Sequence, residues 1–295
     1  MPRRVQPAGL LIVGRPAARR IGPYAVLGQH FAVTVDDTAI AGYLEQALAS
    51  LATSSPATVR WSVVDRAGTD ADHRFAVFRD GSLLFGCDDR NDVVPLLLWW
   101  VNRIVCFETS HRVMVHAAVA AAPGGAVVLP APQESGKTTL VAALVQDGLG
   151  YLTDEAAAFD PETGAVDAYP KWLSLKPGSW ALFPHLRPIL APELAAFAED
   201  QWHVVPDAVR PGAVVPSAEP AFVVAPRYRP GQSTSMRTMG RAEALSILVE
   251  ESFNLGRFGR AGFQALAGVV GRSECWRLTT GDLGEAVAAV RAVTG

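Results

Sequence analysis

The sequence predicts an α/β fold in two parts: a smaller α+β module over residues 1–108, then an α/β domain over residues 109–295. Three observations carry the prediction. Residues 125–130, Gly-Ala-Val-Val-Leu-Pro, are short, apolar and rich in small or β-branched types, as a buried strand is. The stretch after them, Ala131-Pro132-Gln133-Glu134-Ser135-Gly136-Lys137-Thr138-Thr139, runs into helical spacing at Leu140, Ala143 and Leu144, with Gly148 as a stop. Upstream of residue 108, strand-like runs, two helices and a tight turn succeed one another without that strand–loop–helix unit.

In chain order, residues 31–35 alternate as a strand does, and 40–51 read as a helix with capping candidates at 36–38. Residues 59–64 and 74–78 read as strands, and Asp80-Gly81 as a hairpin turn into 82–86. Residues 95–106 read as a buried helix leading out of the first module. Residues 113–122 form a strand that Pro123-Gly124-Gly125 turns back, so a hairpin feeds the loop at 131. Residues 151–154 and 156–159 bracket a further strand, and Pro161-Glu162-Thr163-Gly164 turns into 166–169. The many prolines of 184–220 mark a long, partly irregular excursion. A strand at 222–225, an amphipathic helix at 241–253 and a last helix at 281–293, capped near Asp282, complete the chain.

Composition narrows the function classes. With 49% hydrophobic and 19% charged residues, the chain has ample core and is not disordered. A net charge of −3 gives no footprint for nucleic acid, and the basic cluster Arg15, Arg19, Arg20 is short. The apolar run at 93–101 is half the length of a membrane span and ends at Asn102 and Arg103. Leu10-Leu11-Ile12-Val13 behind Arg3 and Arg4 is too short for a secretory signal, and Arg15 follows at once. Cys87, Cys106 and Cys275 are odd in number and lack metal spacing, which points to a reduced, cytoplasmic protein.

The loop ending Gly136-Lys137-Thr138-Thr139 reads as a phosphate-binding loop. Backbone amides and the helix N-terminus, joined by Ser135 and Gly136, suit a polyphosphate; Lys137 reaches its terminal phosphates and Thr138 offers a hydroxyl to Mg²⁺. Ala131 stands where such loops usually begin with glycine, a mild irregularity at negative φ and a strain at positive φ. Asp154-Glu155, at the end of the strand after the loop's helix, can hold Mg²⁺ and accept a hydroxyl proton; alone, the pair reads equally as a solvated turn. His116 lies in an apolar strand, where such a residue is commonly a hydrogen-bonded core histidine. Arg227, Arg229 and Lys176 are candidate phosphate or substrate clamps. Trp99, Trp100, Trp172, Trp180 and Trp202 read as core or rim packing.

Together these residues resemble the HPr kinase/phosphorylase superfamily, and more closely its HPr-kinase-related branch found near peptide-modification gene clusters. The resembling segments are Val115-His116-Ala117-Ala118, Gly136-Lys137-Thr138-Thr139, Leu152-Thr153-Asp154-Glu155 and the run from Pro170-Lys171-Trp172 to Leu175-Lys176-Pro177-Gly178. They continue through Pro226-Arg227-Tyr228-Arg229-Pro230-Gly231, Ser252-Phe253-Asn254 and Gly281-Asp282-Leu283. They cover residues 95–295, with 21 positions from His116 to Lys137 and 17 from Lys137 to Asp154. The resemblance implies a phosphate-loop domain with a mixed sheet of the HPr kinase / phosphoenolpyruvate carboxykinase type.

The resemblance also implies roles. Asp154 would be the general base, Glu155 would assist at the metal, His116 would orient Asp154 or stabilise charge near it, and Arg229 would stabilise the transferring phosphoryl group. Thr138, Asp154 and Glu155 would hold Mg²⁺, and residues 135–139 the nucleotide. Glu155 stands where the bifunctional enzymes carry a second aspartate, and the glycine-rich signature that binds HPr has no counterpart. The expected activity is therefore transfer of the γ-phosphate of ATP, or GTP in its place, to a hydroxyl, serine foremost, of a peptide or protein. A kinase for a free amino acid or biosynthetic intermediate, and a nucleotide-binding regulator without catalysis, are the alternatives. The bifunctional kinases are hexameric, so a homo-oligomer is a further expectation; no nucleic-acid or membrane partner is expected.

Overall fold

The structure, a computed structural model, describes residues 18–295. The apolar run at residues 10–13 and Arg3, Arg4 and Arg15 lie outside the described residues. The first part holds β1 (Arg19–Val26), β2 (Gln29–Val35), α1 (Thr38–Ala47), β3 (Val59–Asp65), β4 (Phe75–Arg79), β5 (Ser82–Cys87) and α2 (Arg90–Glu108). Its five strands form one sheet in chain order. β2 and β3 run parallel across α1, and the other neighbours are antiparallel.

The second part opens with β6 (Val113–Ala122), β7 (Gly125–Pro130), α3 (Lys137–Gln146), β8 (Gly150–Thr153), β9 (Ala156–Phe159) and β10 (Val166–Asp167). β11 (Leu173–Leu175) and α4 (Pro177–Trp180) lead into the excursion, which contains β12 (Trp202–Val204), α5 (Pro206–Val209) and β13 (Ser217–Ala218), with 3₁₀ segments at Pro184–Leu186 and Pro192–Ala198. The chain closes with β14 (Pro220–Tyr228), β15 (Ser235–Thr238), α6 (Arg241–Glu250), α7 (Leu255–Arg272), β16 (Glu274–Thr280) and α8 (Leu283–Thr294). The large sheet is ordered β13-β10-β9-β6-β7-β14-β16-β15, with β8 also on β6. It is mixed: β7, β14 and β16 are parallel, while β6, β8, β9 and β15 join antiparallel. Apolar residues of α3 and α8 fill one face and those of α6 and α7 the other. Both faces are thus covered, which explains why β6 and β7 read as continuous apolar runs.

Two readings need correction. The helix at 95–106 starts earlier, at Arg90, because the Asp89 side chain caps it by accepting from Asn91 N; Pro95 lies inside. Nor is it wholly buried: Trp99 is 52% exposed, and Leu96 and Phe107 also face solvent. The segment at 151–159 is two strands rather than one, and β8 and β9 pair with successive parts of β6. That interruption positions the site.

Candidate active site

β6 sets the geometry because it is paired along both edges. On one edge, Ala117 stands beside Pro130, the last residue of β7, where the loop begins. On the other, Val119 stands beside Thr153 and His116 beside Ala156. Asp154 and Glu155 occupy the gap between, at the same level as the loop's first residue. The Thr153 hydroxyl accepts from Glu155 N and Ala156 N, both at 3.2 Å, and so turns the backbone at the break.

The loop leaves β7 at Ala131 and enters α3 at Lys137. Glu134 (φ 62°) and Gly136 (φ 90°) are left-handed; Ala131 is not, so alanine there carries no backbone strain. Gly136 caps α3 without a side-chain hydrogen bond, which leaves the first-turn amides of the helix open to an anion. The Ser135 hydroxyl is buried and without a partner in the same loop. The Lys137 Nζ turns back to donate to the carbonyls of Ala131 (2.6 Å) and Pro132 (2.8 Å). Burial lowers the pKa of this amine from 10.5 to about 8, although Glu155, Glu251 and Asp154 pull the other way.

Asp154 is 1% exposed and fully engaged. Its Oδ1 pairs with Lys171 Nζ at 2.8 Å and accepts from the Tyr151 hydroxyl at 3.2 Å. Its Oδ2 accepts from Thr138 Oγ1 and from Ser174 N, each at 3.2 Å. Lys171 is equally buried, donates to the Trp172 carbonyl at 2.9 Å and lies 4.0 Å from Glu155 Oε2. Burial, together with the Asp154 charge, holds the Tyr151 phenol well above its ordinary range, so it stays a donor. Glu155 is the more accessible of the two acids, at 25% side-chain exposure.

The other expected residues surround this centre. His116 is turned to Glu251: its Nδ1 lies 2.9 Å from Glu251 Oε2, and its amide donates to the Glu251 carbonyl at 2.8 Å. Its hydrogen bond thus goes to Glu251, not to Asp154. Lys176 pairs with Glu134 of the loop at 2.9 Å, on the surface. Arg229 is exposed in a turn after β14, with its amide on the Thr280 carbonyl at 2.7 Å. Arg227 and Arg229 line an open cleft of about 550 Å³. Tyr228 between them abuts the loop: a Cβ added at Gly136 would lie 3.6 Å from the Tyr228 Cβ. Glu251 and Tyr151 carry no signal in the sequence that assigns them to the site; Lys171 and Ser174 lie in one of the resembling segments, but nothing there marks them as partners of Asp154.

These residues fit a nucleotide with Mg²⁺. Open amides, the orphaned Ser135 hydroxyl and Lys137 suit phosphate oxygens. The 3.2 Å between Thr138 Oγ1 and Asp154 Oδ2 is close to the separation of about 3 Å between adjacent oxygens around octahedral Mg²⁺. The chain matches no protein-family model and no curated protein.

Proposed function

We propose that this protein is a kinase that transfers the γ-phosphate of ATP to a hydroxyl, serine foremost, of a peptide or protein, and that its fold is of the HPr kinase / phosphoenolpyruvate carboxykinase type. One observation carries the reading: the Thr138 hydroxyl, one residue into the helix behind Lys137, meets the Asp154 carboxylate at 3.2 Å. Phosphate-binding and proton-handling groups thereby share one centre. The antiparallel strand that feeds β7 supports the fold assignment.

Bound Mg²⁺-ATP supplies the phosphoryl group and offsets its charge. The chain's own residues position it. The first turn of α3 and Lys137 hold phosphate oxygens, with Lys137 exchanging its two loop carbonyls for them. Thr138 and Asp154 Oδ2 would hold the metal side, with Glu155 beside them. Lys171 fixes Oδ1 and the Thr138 contact belongs to the metal side, so an acceptor hydroxyl approaches Oδ2 in place of the Ser174 amide. Asp154 takes the hydroxyl proton late in a loose transition state, where positioning counts more than base strength. Arg229 closes over the transferring group from the β14 side.

The test is Mg²⁺-ATP turnover on candidate acceptors, read as a mass shift of one phosphate. Lys137→Ala and Asp154→Asn abolish transfer, and EDTA removes it from the wild type; transfer undiminished in both variants defeats the reading. The four contacts that fill Asp154 favour a second reading, a nucleotide-binding regulator without transfer. Tight ATP binding with no transfer to any acceptor, water included, selects it.

A further inference from the structure

The outer edge of the large sheet carries arginines whose register puts them on one face. Arg227 of β14 stands beside Thr279 of β16, and Ala225 beside Arg277. On the far side of β16, Ser235 of β15 faces Thr279 and Arg237 faces Arg277. Side chains alternate along strands, so Arg227, Arg277 and Arg237 share a face with Thr279 and Ser235 between them. Arg277 and Arg237 are like charges directly opposite in an antiparallel pair, an arrangement that destabilises a sheet. Glu243 partners Arg277; Arg227, Arg229 and Arg237 have no ion-pair partner among the described residues.

The same region opens into two adjoining clefts of about 550 and 670 Å³ that share Gln232 and Thr279. Their shared wall is preformed. The turn of Arg229 and Gln232 packs directly on Gly281, where a Cβ would lie 2.8 Å from the Arg229 carbonyl. Tyr228, the next residue along β14, alternates to the other face of the strand, where it lies against Gly136 of the phosphate loop. Two strand spacings, about 10 Å, separate β14 from β15, which is the reach of about three residues of extended chain. A lone phosphate would leave most of these charges unmet. A nucleic-acid backbone draws on a broad positive field, and the chain's net charge is −3.

We propose that this cleft binds an acidic segment of a peptide, and, resting on the kinase reading, that the segment belongs to the acceptor. Carboxylates spaced along an extended chain meet Arg227 and Arg237 in turn, by charge-assisted hydrogen bonds that arginine makes in pairs.

The test is fluorescence anisotropy, without nucleotide, of a labelled peptide carrying three glutamates beside one serine. Binding is expected, and it weakens as salt is raised. The same peptide with glutamines is expected to bind roughly tenfold more weakly or less. Arg237→Glu reverses the preference, losing roughly tenfold for the glutamate peptide and gaining for a lysine peptide; that gain also shows that the variant is folded. Arg237→Gln gives a smaller loss. Equal affinity for the glutamate and glutamine peptides overturns the proposal, as does an Arg237→Glu variant unchanged in preference, or tighter binding of a single-stranded oligonucleotide of equal charge. Acidic-peptide binding without phosphate transfer defeats the kinase reading alone. Phosphate transfer without charge preference defeats this proposal alone.

Discussion

At the scale of single residues, Lys137 connects binding to pH. Its pKa of about 8 reflects burial inside its own loop. A bound polyphosphate favours the charged amine and draws the pKa back up. Nucleotide binding is therefore expected to take up protons near pH 8, and affinity to fall as pH rises beyond it. Calorimetry at pH 8 in buffers of different ionisation enthalpy measures the uptake, and a buffer-independent heat refutes it. For stability the sign is opposite. The folded pKa lies below the unfolded 10.5, so the unfolded chain holds the extra proton between about 8 and 10.5, and stability rises with pH across that window. Below it the buried charge costs about 3 kcal/mol. Lys137→Met should then lose nucleotide yet melt no lower than wild type at pH 7. Lys171 behaves differently. Its removal strands a buried carboxylate, so Lys171→Met should cost about 3–5 kcal/mol in urea unfolding, and adding Asp154→Asn should return part of that loss. Short stretches of the sequence mark Lys137, Thr138 and Asp154 as candidates, and the structure brings Thr138 and Asp154 into contact. Lys171 is not so marked, since the carboxylate that makes its burial tolerable arrives from the gap between β8 and β9. Glu251 meets His116 across 135 positions, and no local pattern announces such a meeting.

At the scale of elements, the loop from β7 to α3 needs glycine only at its end. Ala131→Gly should leave nucleotide affinity within about twofold and cost up to about 1 kcal/mol through the unfolded chain. Gly136→Ala should cost about 1–2 kcal/mol, because φ is 90° while the nearest atom to a new Cβ, in Tyr228, leaves room at 3.6 Å. Thermal unfolding and ATP titration of the two variants give the comparison, and equal losses would contradict it. The β6–β7 hairpin and α3 are legible because their periods are clean and Pro123-Gly124 punctuates them. α7 is not, because five glycines in 18 residues, with Gly259 outside helical torsions, dilute its helical signal. β1 is masked by Gly22-Pro23, where its register with β2 shifts. β16 reads as polar because Glu274, Arg277, Thr279 and Thr280 outnumber the buried apolar Cys275 and Leu278 in its seven residues.

At the scale of the whole molecule, the two parts share a core. Met114, Ala156, Tyr169 and Trp172, with Leu194 and Phe197 from the proline-rich excursion, join the cluster built on α1, α2 and the first sheet. His203 adds a polar tie, with Nδ1 2.8 Å from the Tyr43 hydroxyl. Burial, and next the Lys171 charge, push the His203 pKa down to about 3, against 6.5 when unfolded. The unfolded chain therefore binds the extra proton below pH 6.5, and stability falls with acid by up to about 1.4 kcal/mol per pH unit from this group. His203→Asn should flatten the acid limb of the melting-temperature profile, and an unchanged limb would refute the assignment. The change of pattern near residue 108 is legible in the sequence. The fusion of the cores is not, because the proline-rich excursion gives no hint of which surface it covers. β6 has a last consequence. One strand braces the loop on its left margin and both acids on its right, so the gap between them is ruled off in fixed steps and no hinge separates them. Ligand capture should leave the molecular envelope alone, and scattering curves recorded with and without ATP should superimpose.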